Sequence, residues 1–303
     1  MVNMYDLIII GAGPAGITAA VYAARKRMKF IVLTGDIGGQ AAWSGDIENY
    51  TGYQFVTGPE LVSKFEEHMR KYPIDSHENE EVMGIEKLGS SVKVKTRKGE
   101  YQARTVIIAS GKVSRELGVA GEKEFKNKGI TYCATCDGPL FSGKDVAVIG
   151  GGNSALDAAL QMIKIAKMVY IINNTDQLGG DAVMREKVQN APNVKVINGA
   201  RVTGVTGEKM VSGISVRTKS GEESIPVQGI FVEIGLVPNS SFAGPVEKNE
   251  RGEIKVNSKN ETNVPGIFAA GDVTDVSEKQ IIIAAGEGSK AALSAFKYIN
   301  QSR

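Results

Sequence analysis

One pattern occurs twice in the chain and constrains the fold more than any other feature. It consists of an apolar run, a glycine-rich turn, a helical segment and a second apolar run. The first copy comprises Asp6–Ile10, Gly11–Gly16, a helical segment and Phe30–Thr34. The second comprises Lys144–Ile149, Gly150–Ala155, a helical segment and Met168–Asn173. Strand, glycine turn, helix and strand in this order form the βαβ unit that binds nucleotides.

Each position of the two turns has a physical task. The first glycine permits a tight turn, and the second lets the backbone approach a pyrophosphate. The third position, Gly16 or Ala155, allows helix and strand to pack closely. The phosphates then lie on the N–H groups at the start of the helix. A single turn of this kind can be purely structural, whereas two copies about 140 residues apart favour nucleotide binding.

A third segment near the C-terminus, Thr262–Asp275, contains a short apolar run that ends on Gly271 and Asp272. This segment predicts a strand over Ile267–Ala270, and the following sequence predicts a helix over Ala284–Ile299. Period-two alternation predicts further strands at Val92–Lys95, Tyr101–Ile108, Val194–Ile197, Gly213–Arg217 and Val227–Glu233.

The apolar pattern breaks at Gly111–Gly118 and again at Gly235–Phe242, where we expect the chain to cross between domains. The prediction is an α/β protein of two Rossmann-like dinucleotide-binding domains, the second inserted into the first. The first domain comprises residues 1–112 and 243–303, and the inserted domain covers residues 113–242. A length of 303 residues agrees with two domains.

The charge of the chain gives no reason to expect a nucleic-acid or membrane partner. Its formal net charge is +2, and its Lys and Arg residues are scattered. The N-terminal apolar run, Leu7–Ile10, is short, and no segment approaches the ~18 uncharged apolar residues of a membrane span. One cysteine pair and no targeting segment predict a reducing, cytoplasmic setting.

Cys133 and Cys136 are the two cysteines of the sequence and stand in a CxxC arrangement. A structural disulfide between such close positions closes too short a loop to stabilise the fold much, so the pair indicates a redox couple. Half of a zinc site is the alternative, but zinc normally takes four ligands, and we expect no metal site. The two histidines, His68 and His77, lie upstream and are expected to be exposed surface residues.

Six motifs follow one another along the chain: GAGPAG from Gly11, IASG from Ile108, CATCDG from Cys133, GGGNSA from Gly150, EIGLVPN from Glu233 and AAGDV from Ala269. Together and in this order they resemble the low-molecular-weight thioredoxin reductases, which are FAD-dependent pyridine nucleotide-disulfide oxidoreductases. The resemblance covers essentially the whole chain. It implies that the outer domain binds FAD, that the inserted domain binds NADPH and carries the active disulfide, and that the enzyme is a homodimer.

The resemblance also implies which residues contact the cofactors. For FAD these are Gly11, Gly13, Pro14, Ala15, Gly16, Gly38, Gly39, Gln40, Asn49, Gly111, Gly271, Asp272, Lys279, Gln280 and Ile281. For the nicotinamide nucleotide they are Gly150, Gly152, Asn153, Ser154 and Ala155. Lys279 is a departure, because the family commonly has an arginine there.

The catalytic residues implied by the resemblance are Cys133, Cys136 and Asp137. A CxxC thiol can have its pKa lowered to ~7 or below, which makes it a nucleophile at neutral pH. The resemblance implies that Cys136 is the cysteine beside the flavin and that Cys133 attacks the disulfide of the protein substrate. Asp137 resembles the acid/base of the family, which protonates the departing thiolate.

The electron donor is where the sequence departs from the family. NADPH-dependent members carry a basic cluster after the second strand of the inserted βαβ unit, where arginine pairs with the adenosine 2′-phosphate. This chain has Asn173, Asn174 and Asp176 there, and Asp176 would repel a phosphate. Any of the three could accept a hydrogen bond from the ribose 2′-OH of NADH. Arg185 and Lys187, on the following segment, could reach back to a phosphate, but they are expected to be helix-surface charges.

The sequence therefore predicts a thioredoxin-disulfide reductase whose donor is NADH, weakly bound NADPH or a non-pyridine donor such as ferredoxin. The acceptor is a thioredoxin or a thioredoxin-like protein. One alternative is the reductase of another disulfide carrier, such as a peroxiredoxin-linked one, which an additional redox domain would support. Another is a non-catalytic redox-sensing flavoprotein, but an intact Cys133–Cys136–Asp137 set argues against it.

Overall fold

The computed structural model describes residues 4–44 and 46–301, and the chain divides into two units. Unit 1 combines the two ends of the chain, Met1–Val113 and Val237–Arg303. Unit 2 is the segment between them, Ser114–Leu236. Unit 2 is therefore inserted into unit 1.

The first part of unit 1 alternates strands and helices before it ends in a β-meander. Its elements are β1 (Met4–Ala12), α1 (Pro14–Arg25), β2 (Phe30–Ile37), a 3₁₀ helix (Gly39–Trp43), β3 (Asp46–Ile47), β4 (Val56–Thr57), α2 (Gly58–Arg70), β5 (Asp75–His77), β6 (Val82–Leu88), β7 (Ser91–Thr96), β8 (Glu100–Ile108) and β9 (Lys112–Ser114).

Unit 2 begins with a short helix and contains the second βαβ unit. Its elements are α3 (Glu122–Phe125), β10 (Ile130–Thr131), α4 (Ala134–Asp137), a 3₁₀ helix (Gly138–Phe141), β11 (Asp145–Ile149), α5 (Asn153–Ile163), β12 (Met168–Ile172), α6 (Ala182–Gln189), β13 (Val194–Ile197), β14 (Arg201–Gly207), β15 (Val211–Thr218), β16 (Gly221–Ile225) and β17 (Gly229–Val232).

The chain then returns to unit 1 and ends in a long helix. The last elements are β18 (Leu236–Pro238), β19 (Ile267–Ala269) and α7 (Ile281–Gln301). The predicted helix over 284–299 lies within α7, and the strand predicted at Val194–Ile197 has the same bounds as β13. The strand predicted at Val227–Glu233 is shorter, because β17 covers only Gly229–Val232.

Unit 1 is built on a seven-stranded sheet in the order β5-β2-β1-β8-β7-β6, with β19 also paired to β8. The strands around β1 run parallel, and β6 and β7 are antiparallel additions. Leu7 and Ile9 of β1 belong to the core that includes residues of α1 and α7. Ile8 and Ile10 belong to the core on the opposite face. Because both faces are covered, β1 is apolar at every central position rather than at alternate ones.

Unit 2 repeats this design on a smaller scale. Its larger sheet has five strands, all parallel, in the order β10-β17-β11-β12-β13. Val146 and Val148 of β11 pack in a core with α5, whereas Ala147 and Ile149 share a core with the antiparallel sheet of β14, β15 and β16. In both units the strand before the glycine turn lies inside the sheet, so each turn opens at the carboxyl edge of that sheet.

The two crossings between the units, β9 and β18, pair with each other as a two-stranded sheet. Next to this pair, the N–H of Arg115 donates to the carbonyl oxygen of Gly235 at 2.9 Å. The N–H of Asn239 donates to the carbonyl oxygen of Gly111 at 3.0 Å. Among the described residues, no helix is both long enough and apolar enough to cross a membrane.

Candidate functional site

The first glycine turn joins β1 to α1 and leaves the start of α1 open. Gly11 has a φ of +100°, and a Cβ there would lie 2.4 Å from the carbonyl oxygen of Ala109. Backbone conformation and space therefore both exclude a side chain at Gly11. Gly13 is the N-cap of α1, and among the described residues no side chain caps this helix. The N–H groups of its first turn are thus suited to a phosphate.

A second glycine pair lies against this turn. The carbonyl oxygen of Gly38 is 3.9 Å from the position of a Cβ on Gly13, and the Cα of Gly13 is 3.6 Å from the position of a Cβ on Gly39. The three glycines leave a gap lined by backbone that larger residues would fill. Gln40 follows, and its side-chain amide donates to the carbonyl oxygen of Lys112 at 3.3 Å.

Gly271 and Asp272 follow β19 and lie beside the start of α1. A Cβ on Gly271 would be 3.0 Å from the Cβ of Ala15. The N–H of Gly271 donates a 2.7 Å hydrogen bond to the carboxylate of Glu287, which is buried on α7. Burial raises the pKa of Glu287, and the hydrogen bond from Gly271 opposes this shift. Glu287 is not among the residues predicted from sequence. A charged residue among the small residues of α7 could have indicated it.

Asp272 lies near Glu253 and two lysines, Lys112 and Lys279. The Nζ atoms of Lys112 and Lys279 lie 3.1 and 3.4 Å from the same oxygen of Glu253. Burial acts to raise the pKa of Glu253, but hydrogen bonds, one of them from Lys112, and the charges of both lysines reverse the shift and lower the pKa to about 2. Burial raises the pKa of Asp272, and the same lysines oppose this. Lys112 and Glu253 carry no local motif and are not among the predicted residues.

The start of α7 completes the predicted FAD residues. Gln280 precedes the helix, and its carbonyl oxygen accepts from the N–H of Ala284 at 2.9 Å. The side-chain amide of Asn49 donates to the side-chain oxygen of Gln280 at 3.0 Å. Lys279 donates to the carbonyl oxygen of Thr274 at 2.5 Å. Ile281 is the first residue of α7.

The residues of unit 1 fit a dinucleotide such as FAD. A glycine-lined gap and an uncapped helix start suit a pyrophosphate, because backbone N–H groups and the helix dipole bind anions. The carboxylate of Asp272 is a hydrogen-bond acceptor for hydroxyl groups at the same edge of the sheet. The remaining predicted positions are Pro14, Ala15 and Gly16 in the first turn of α1, and Gly111, which precedes β9. Their contacts with FAD remain predictions.

In unit 2 the two cysteines form a disulfide, Cys133–Cys136, at the start of α4. Cys136 is exposed and Cys133 is partly buried. The N–H of Cys136 donates a hydrogen bond to the sulfur of Cys133 at 3.1 Å. A donor aimed at a sulfur favours its thiolate after reduction, so this geometry suits Cys133 as a nucleophile.

Asp137 is fixed next to the disulfide. The hydroxyl of Thr131 donates a short hydrogen bond to the carboxylate of Asp137. The same hydroxyl oxygen accepts from the N–H of Cys133 at 3.2 Å. Thr131 thus links the predicted acid/base to the predicted nucleophile. Thr131 is a further residue that was not predicted. Its position two residues before Cys133, in TYCATCDG, could have indicated a contact with the cysteine pair.

The second glycine turn has the same construction as the first. Gly150 has a φ of +134°, and a Cβ there would lie 2.2 Å from the carbonyl oxygen of Glu233. Gly152 is the N-cap of α5, and none of the described side chains caps this helix. Gly152, Asn153 and Ser154 are exposed, whereas Ala155 is buried against the turn. The side chain of Asn153 accepts from a backbone N–H of the segment before α6, at 2.8 Å.

Asn173 is not available for a ribose hydroxyl, which corrects one expectation. It is 2% exposed. Its Nδ2 donates to the carbonyl oxygen of Thr175 at 3.1 Å and to Asn198 at 3.0 Å, and its Oδ1 accepts from the hydroxyl of Thr175 at 3.0 Å. A Cβ on Gly151 would lie 2.4 Å from the same Oδ1. Asn173 therefore supports the second glycine turn. Asn174 and Asp176 are the exposed candidates for a hydrogen bond to a ribose hydroxyl.

Arg185 and Lys187 both lie on α6. Lys187 is exposed, as expected for a helix-surface charge. Arg185 is only partly exposed, and its guanidinium donates to the carbonyl oxygen of Leu178 at 3.3 Å. Arg185 thus holds the loop after β12 rather than pointing freely to solvent.

Glu233 at the end of β17 is a carboxyl group outside the predicted set. Burial and the nearby carboxylate of Asp157 raise its pKa to about 8. Its backbone carbonyl lies beside Gly150 and leaves no space for a side chain there. The edge of the nucleotide-type turn in unit 2 thus carries a carboxyl group that is protonated near neutral pH.

The two histidines differ in environment. His68 is exposed, as predicted. His77 is only partly exposed, and its Nδ1 lies 3.0 Å from the carboxylate of Glu80 and 3.0 Å from the hydroxyl of Tyr101. Glu80 is 2% exposed, and a buried carboxylate requires hydrogen-bond partners such as these. His77 and Tyr101 lie on separate strands, so no local sequence pattern indicates that they contact Glu80.

The chain matches a known family over most of its length. A model of the pyridine nucleotide-disulphide oxidoreductase family matches residues 5–288. The chain is 45% identical over 299 residues to the F subunit of the alkyl hydroperoxide reductase of Staphylococcus epidermidis, covering 97% of this chain and 59% of that protein. It is 43% identical over 299 residues to the NADH dehydrogenase of Ferdinandcohnia aciditolerans, covering 97% and 57%. The chain thus spans less than three fifths of the length of these relatives.

Two solved structures are similar over nearly their whole length. The thioredoxin reductase of Lactococcus lactis matches with a TM-score of 0.89 and 35% identity, covering 98% of this chain and 99% of that one. The thioredoxin reductase of T. acidophilum matches with a TM-score of 0.87 and 39% identity, covering 99% of both chains. These similarities confirm the predicted resemblance and the predicted fold class of two Rossmann-like units, one inserted into the other.

Proposed function

The chain belongs to the pyridine nucleotide-disulphide oxidoreductase family, and we propose that it is an FAD-dependent reductase that passes electrons from NADH to the disulfide of a thioredoxin-like protein. The observation that carries this proposal is the turn that holds Cys133, Cys136 and Asp137 together. A redox-active disulfide beside a carboxylate is suited to thiol–disulfide exchange, in which a departing thiolate takes up a proton. A turn with a purely structural role does not need this combination of groups.

The exchange reaction is balanced within the cysteine pair. In the reduced enzyme, the thiolate of Cys133 attacks the acceptor disulfide, forms a mixed disulfide and releases one acceptor thiol. Cys136 then attacks Cys133, which restores the Cys133–Cys136 disulfide and releases the second acceptor thiol. Two electrons and two protons pass from the pair to the acceptor. The N–H of Cys136, 3.1 Å from the sulfur of Cys133, supports the role of Cys133 as the attacking thiolate.

Asp137 supplies a proton at the step where a thiolate leaves. A leaving thiolate is stabilised by protonation, and a general acid accelerates such a step by about 10²–10⁴-fold. The hydrogen bond from Thr131 holds the carboxyl group in one orientation. Asp137 acts as proton donor in one direction of the exchange and as proton acceptor in the other.

FAD, when bound, carries two electrons between the donor and the disulfide. The chain contributes the backbone N–H groups at the start of α1, the gap between Gly13 and Gly39, and the carboxylate of Asp272. The oxygens of Asp272 can accept hydrogen bonds from hydroxyl groups of the cofactor.

NADH is the proposed donor because the loop after β12 carries Asp176 in place of the arginines that pair with a 2′-phosphate. Similarity to a protein named NADH dehydrogenase supports the same choice. Stopped-flow bleaching of the flavin band with NADH, NADPH or a reduced ferredoxin tests it. Fast, saturable bleaching by NADH and slow bleaching by NADPH are expected. Equally fast bleaching by NADPH contradicts the assignment, and bleaching by ferredoxin alone makes ferredoxin the donor.

A peroxiredoxin is the second candidate acceptor, because the chain is similar to the F subunit of an alkyl hydroperoxide reductase. The two acceptors are separated by giving the donor-reduced enzyme either oxidised thioredoxin or an oxidised peroxiredoxin. Faster turnover of thioredoxin supports the proposal. Turnover of the peroxiredoxin alone identifies the peroxiredoxin as the acceptor instead. A Cys136→Ser variant, which keeps its FAD but lacks the disulfide, is the control for electrons that reach the acceptor by another route.

A further inference from the structure

Tyr132, the residue before Cys133, is fixed to the start of α3. Its hydroxyl donates a 2.8 Å hydrogen bond to Oε1 of Glu122, which is 2% exposed. Two backbone N–H groups hold the same carboxylate, because Leu117 donates to Oε1 at 2.6 Å and Gly118 donates to Oε2 at 2.7 Å. A buried carboxylate held by several donors keeps one orientation, so the hydroxyl of Tyr132 is bound to a rigid group.

Thr135, the residue before Cys136, is fixed in a similar way to α5. Its hydroxyl donates to the side-chain oxygen of Gln161 at 3.0 Å. The side-chain nitrogen of Gln161 donates in turn to the carboxylate of Asp157 at 2.9 Å, one turn earlier on the helix. The oxygen and the nitrogen of the Gln161 amide are both engaged, so Thr135 is bound to a side chain with little freedom.

These two contacts act differently on the two redox states of the cysteine pair. In the disulfide, the covalent bond itself holds the turn closed. In the dithiol that bond is absent, and a turn without side-chain contacts would gain conformational freedom, which stabilises the reduced state. A turn held by Tyr132 and Thr135 gains less freedom on reduction. The dithiol therefore has a higher free energy relative to the disulfide and gives up its electrons more readily.

We propose that Tyr132 and Thr135 are positioning residues that keep the reduced turn in the geometry of the disulfide and thereby make the Cys133–Cys136 dithiol more strongly reducing. Neither side chain needs to contact the acceptor or the cofactor for this effect. The inference rests on the proposed function and deepens it, because it concerns the same cysteine pair. It names two residues that set the driving force for electron transfer to the acceptor.

The test measures the redox equilibrium between the FAD-loaded full chain and a buffer of reduced and oxidised dithiothreitol. Reduced dithiothreitol gives two electrons and two protons to the Cys133–Cys136 disulfide and closes to its own cyclic disulfide, so the reaction is balanced. Alkylation of the thiols followed by mass spectrometry gives the fraction of dithiol. The flavin absorbance of the same samples shows how many electrons have passed on to FAD.

Tyr132→Phe and Thr135→Val each remove one hydroxyl and change the side-chain volume little. Each variant is expected to shift the equilibrium about fivefold towards the dithiol, which is the usual size of an effect of one hydrogen bond. A tenfold shift corresponds to about 30 mV for a two-electron couple, so a fivefold shift is about 20 mV. The double variant should shift the equilibrium about 25-fold, because the two hydroxyls have separate partners.

Two control variants and a second measurement accompany these variants. Thr135→Ser keeps a hydroxyl and should keep the equilibrium of the wild type. Tyr170→Phe removes a tyrosine hydroxyl on β12 of the same unit and should also leave the equilibrium unchanged. Hydrogen exchange of the backbone N–H groups of residues 133–137 should become faster in both test variants, but only in the dithiol. In the oxidised chain the disulfide replaces the lost contact.

The outcomes separate this inference from the proposed function. If both test variants keep the wild-type equilibrium, or shift it towards the disulfide, the inference is overturned while the proposed function stands. The same conclusion follows if hydrogen exchange accelerates equally in both redox states, because Tyr132 and Thr135 then support the turn in either state. If excess dithiothreitol leaves the wild-type disulfide intact, the cysteine pair is not a redox couple, and both the inference and the proposed function are overturned.

Discussion

Asn49 and Gln280 are 231 positions apart, and the side-chain amide of Asn49 donates a 3.0 Å hydrogen bond to the side-chain oxygen of Gln280. Asn49 lies between β3 and β4, and Gln280 immediately precedes α7. The bond therefore joins the first and last parts of the chain within unit 1. Both residues are exposed, so polar groups of a bound cofactor can compete for the same atoms. The proposed FAD site exists only when both ends of the chain have folded together.

Gly11→Ala is expected to lower both stability and FAD content. The φ of +100° costs a non-glycine residue about 1–3 kcal/mol, and the new Cβ would also overlap the carbonyl oxygen of Ala109. The ratio of flavin to protein after purification and the thermal unfolding midpoint measure the two effects. Gly35→Ala is the matched control, since nothing lies within 4 Å of its Cβ position. Full FAD content in Gly11→Ala would show that the turn tolerates a side chain.

Asp137→Asn is expected to slow thiol–disulfide exchange by about 100-fold or more, because the amide cannot deliver a proton. The hydrogen bond from Thr131 can still be made, so the disulfide should keep its geometry. The measurement is single-turnover transfer from the reduced enzyme to oxidised thioredoxin, with flavin reduction by the donor followed separately. Glu124→Gln, at an exposed carboxylate of unit 2, is the control. Loss of flavin reduction instead of exchange would assign Asp137 another role.

Glu233 predicts a pH dependence of stability. Burial and the carboxylate of Asp157 raise its pKa from 4.5 to about 8, so between these values the folded chain holds a proton that the unfolded chain has lost. The contribution of Glu233 to the free energy of unfolding is full below pH 4.5 and is lost as the pH rises towards 8. The decline is at most about 1.4 kcal/mol per pH unit.

Chemical denaturation at several pH values tests this decline with Glu233→Gln. The glutamine variant should lose the decline, because its amide does not titrate. Glu223→Gln, at an exposed position in the same unit, should keep it. Identical slopes in wild type and Glu233→Gln would mean that Glu233 is ionised in the folded chain at neutral pH.

Glu287 is expected to support the loop of Gly271 and Asp272 by a hydrogen bond rather than by its charge. Glu287→Leu leaves the buried N–H of Gly271 without its acceptor, which costs about 1–3 kcal/mol. Glu287→Gln keeps an acceptor oxygen and should cost less. Denaturant titration and FAD affinity of the two variants measure the difference. Equal losses in both variants would show that the charge matters more than the hydrogen bond.

The glycine turns could be predicted from sequence because their constraints are local. Gly11 and Gly150 are followed within a few residues by the helix that the turn starts, and the apolar strands before them are buried on both faces. The same holds for the disulfide, since Cys133, Cys136 and Asp137 lie within one short segment. These features are set by neighbouring residues and by the period of the pattern.

Other parts of the site depend on residues far away in the chain. Lys112 and Glu253 are 141 positions apart, and nothing near either residue indicates their pairing. The position of Asn173 at the end of a strand is predictable, but its side chain is directed by Asn198, which lies 25 positions later. A pattern predicts where a strand ends, whereas the direction of a buried polar side chain is decided by the partner it finds.

The pairing of β9 with β18 means that unit 2 leaves and re-enters unit 1 through adjacent segments. A domain whose two ends emerge side by side can be exchanged for another with little disturbance to its host. A short loop between residues 112 and 238 would then give a single-domain flavoprotein with the entire seven-stranded sheet. In evolutionary terms, this arrangement allows the same flavin-binding unit to be combined with different inserted redox domains.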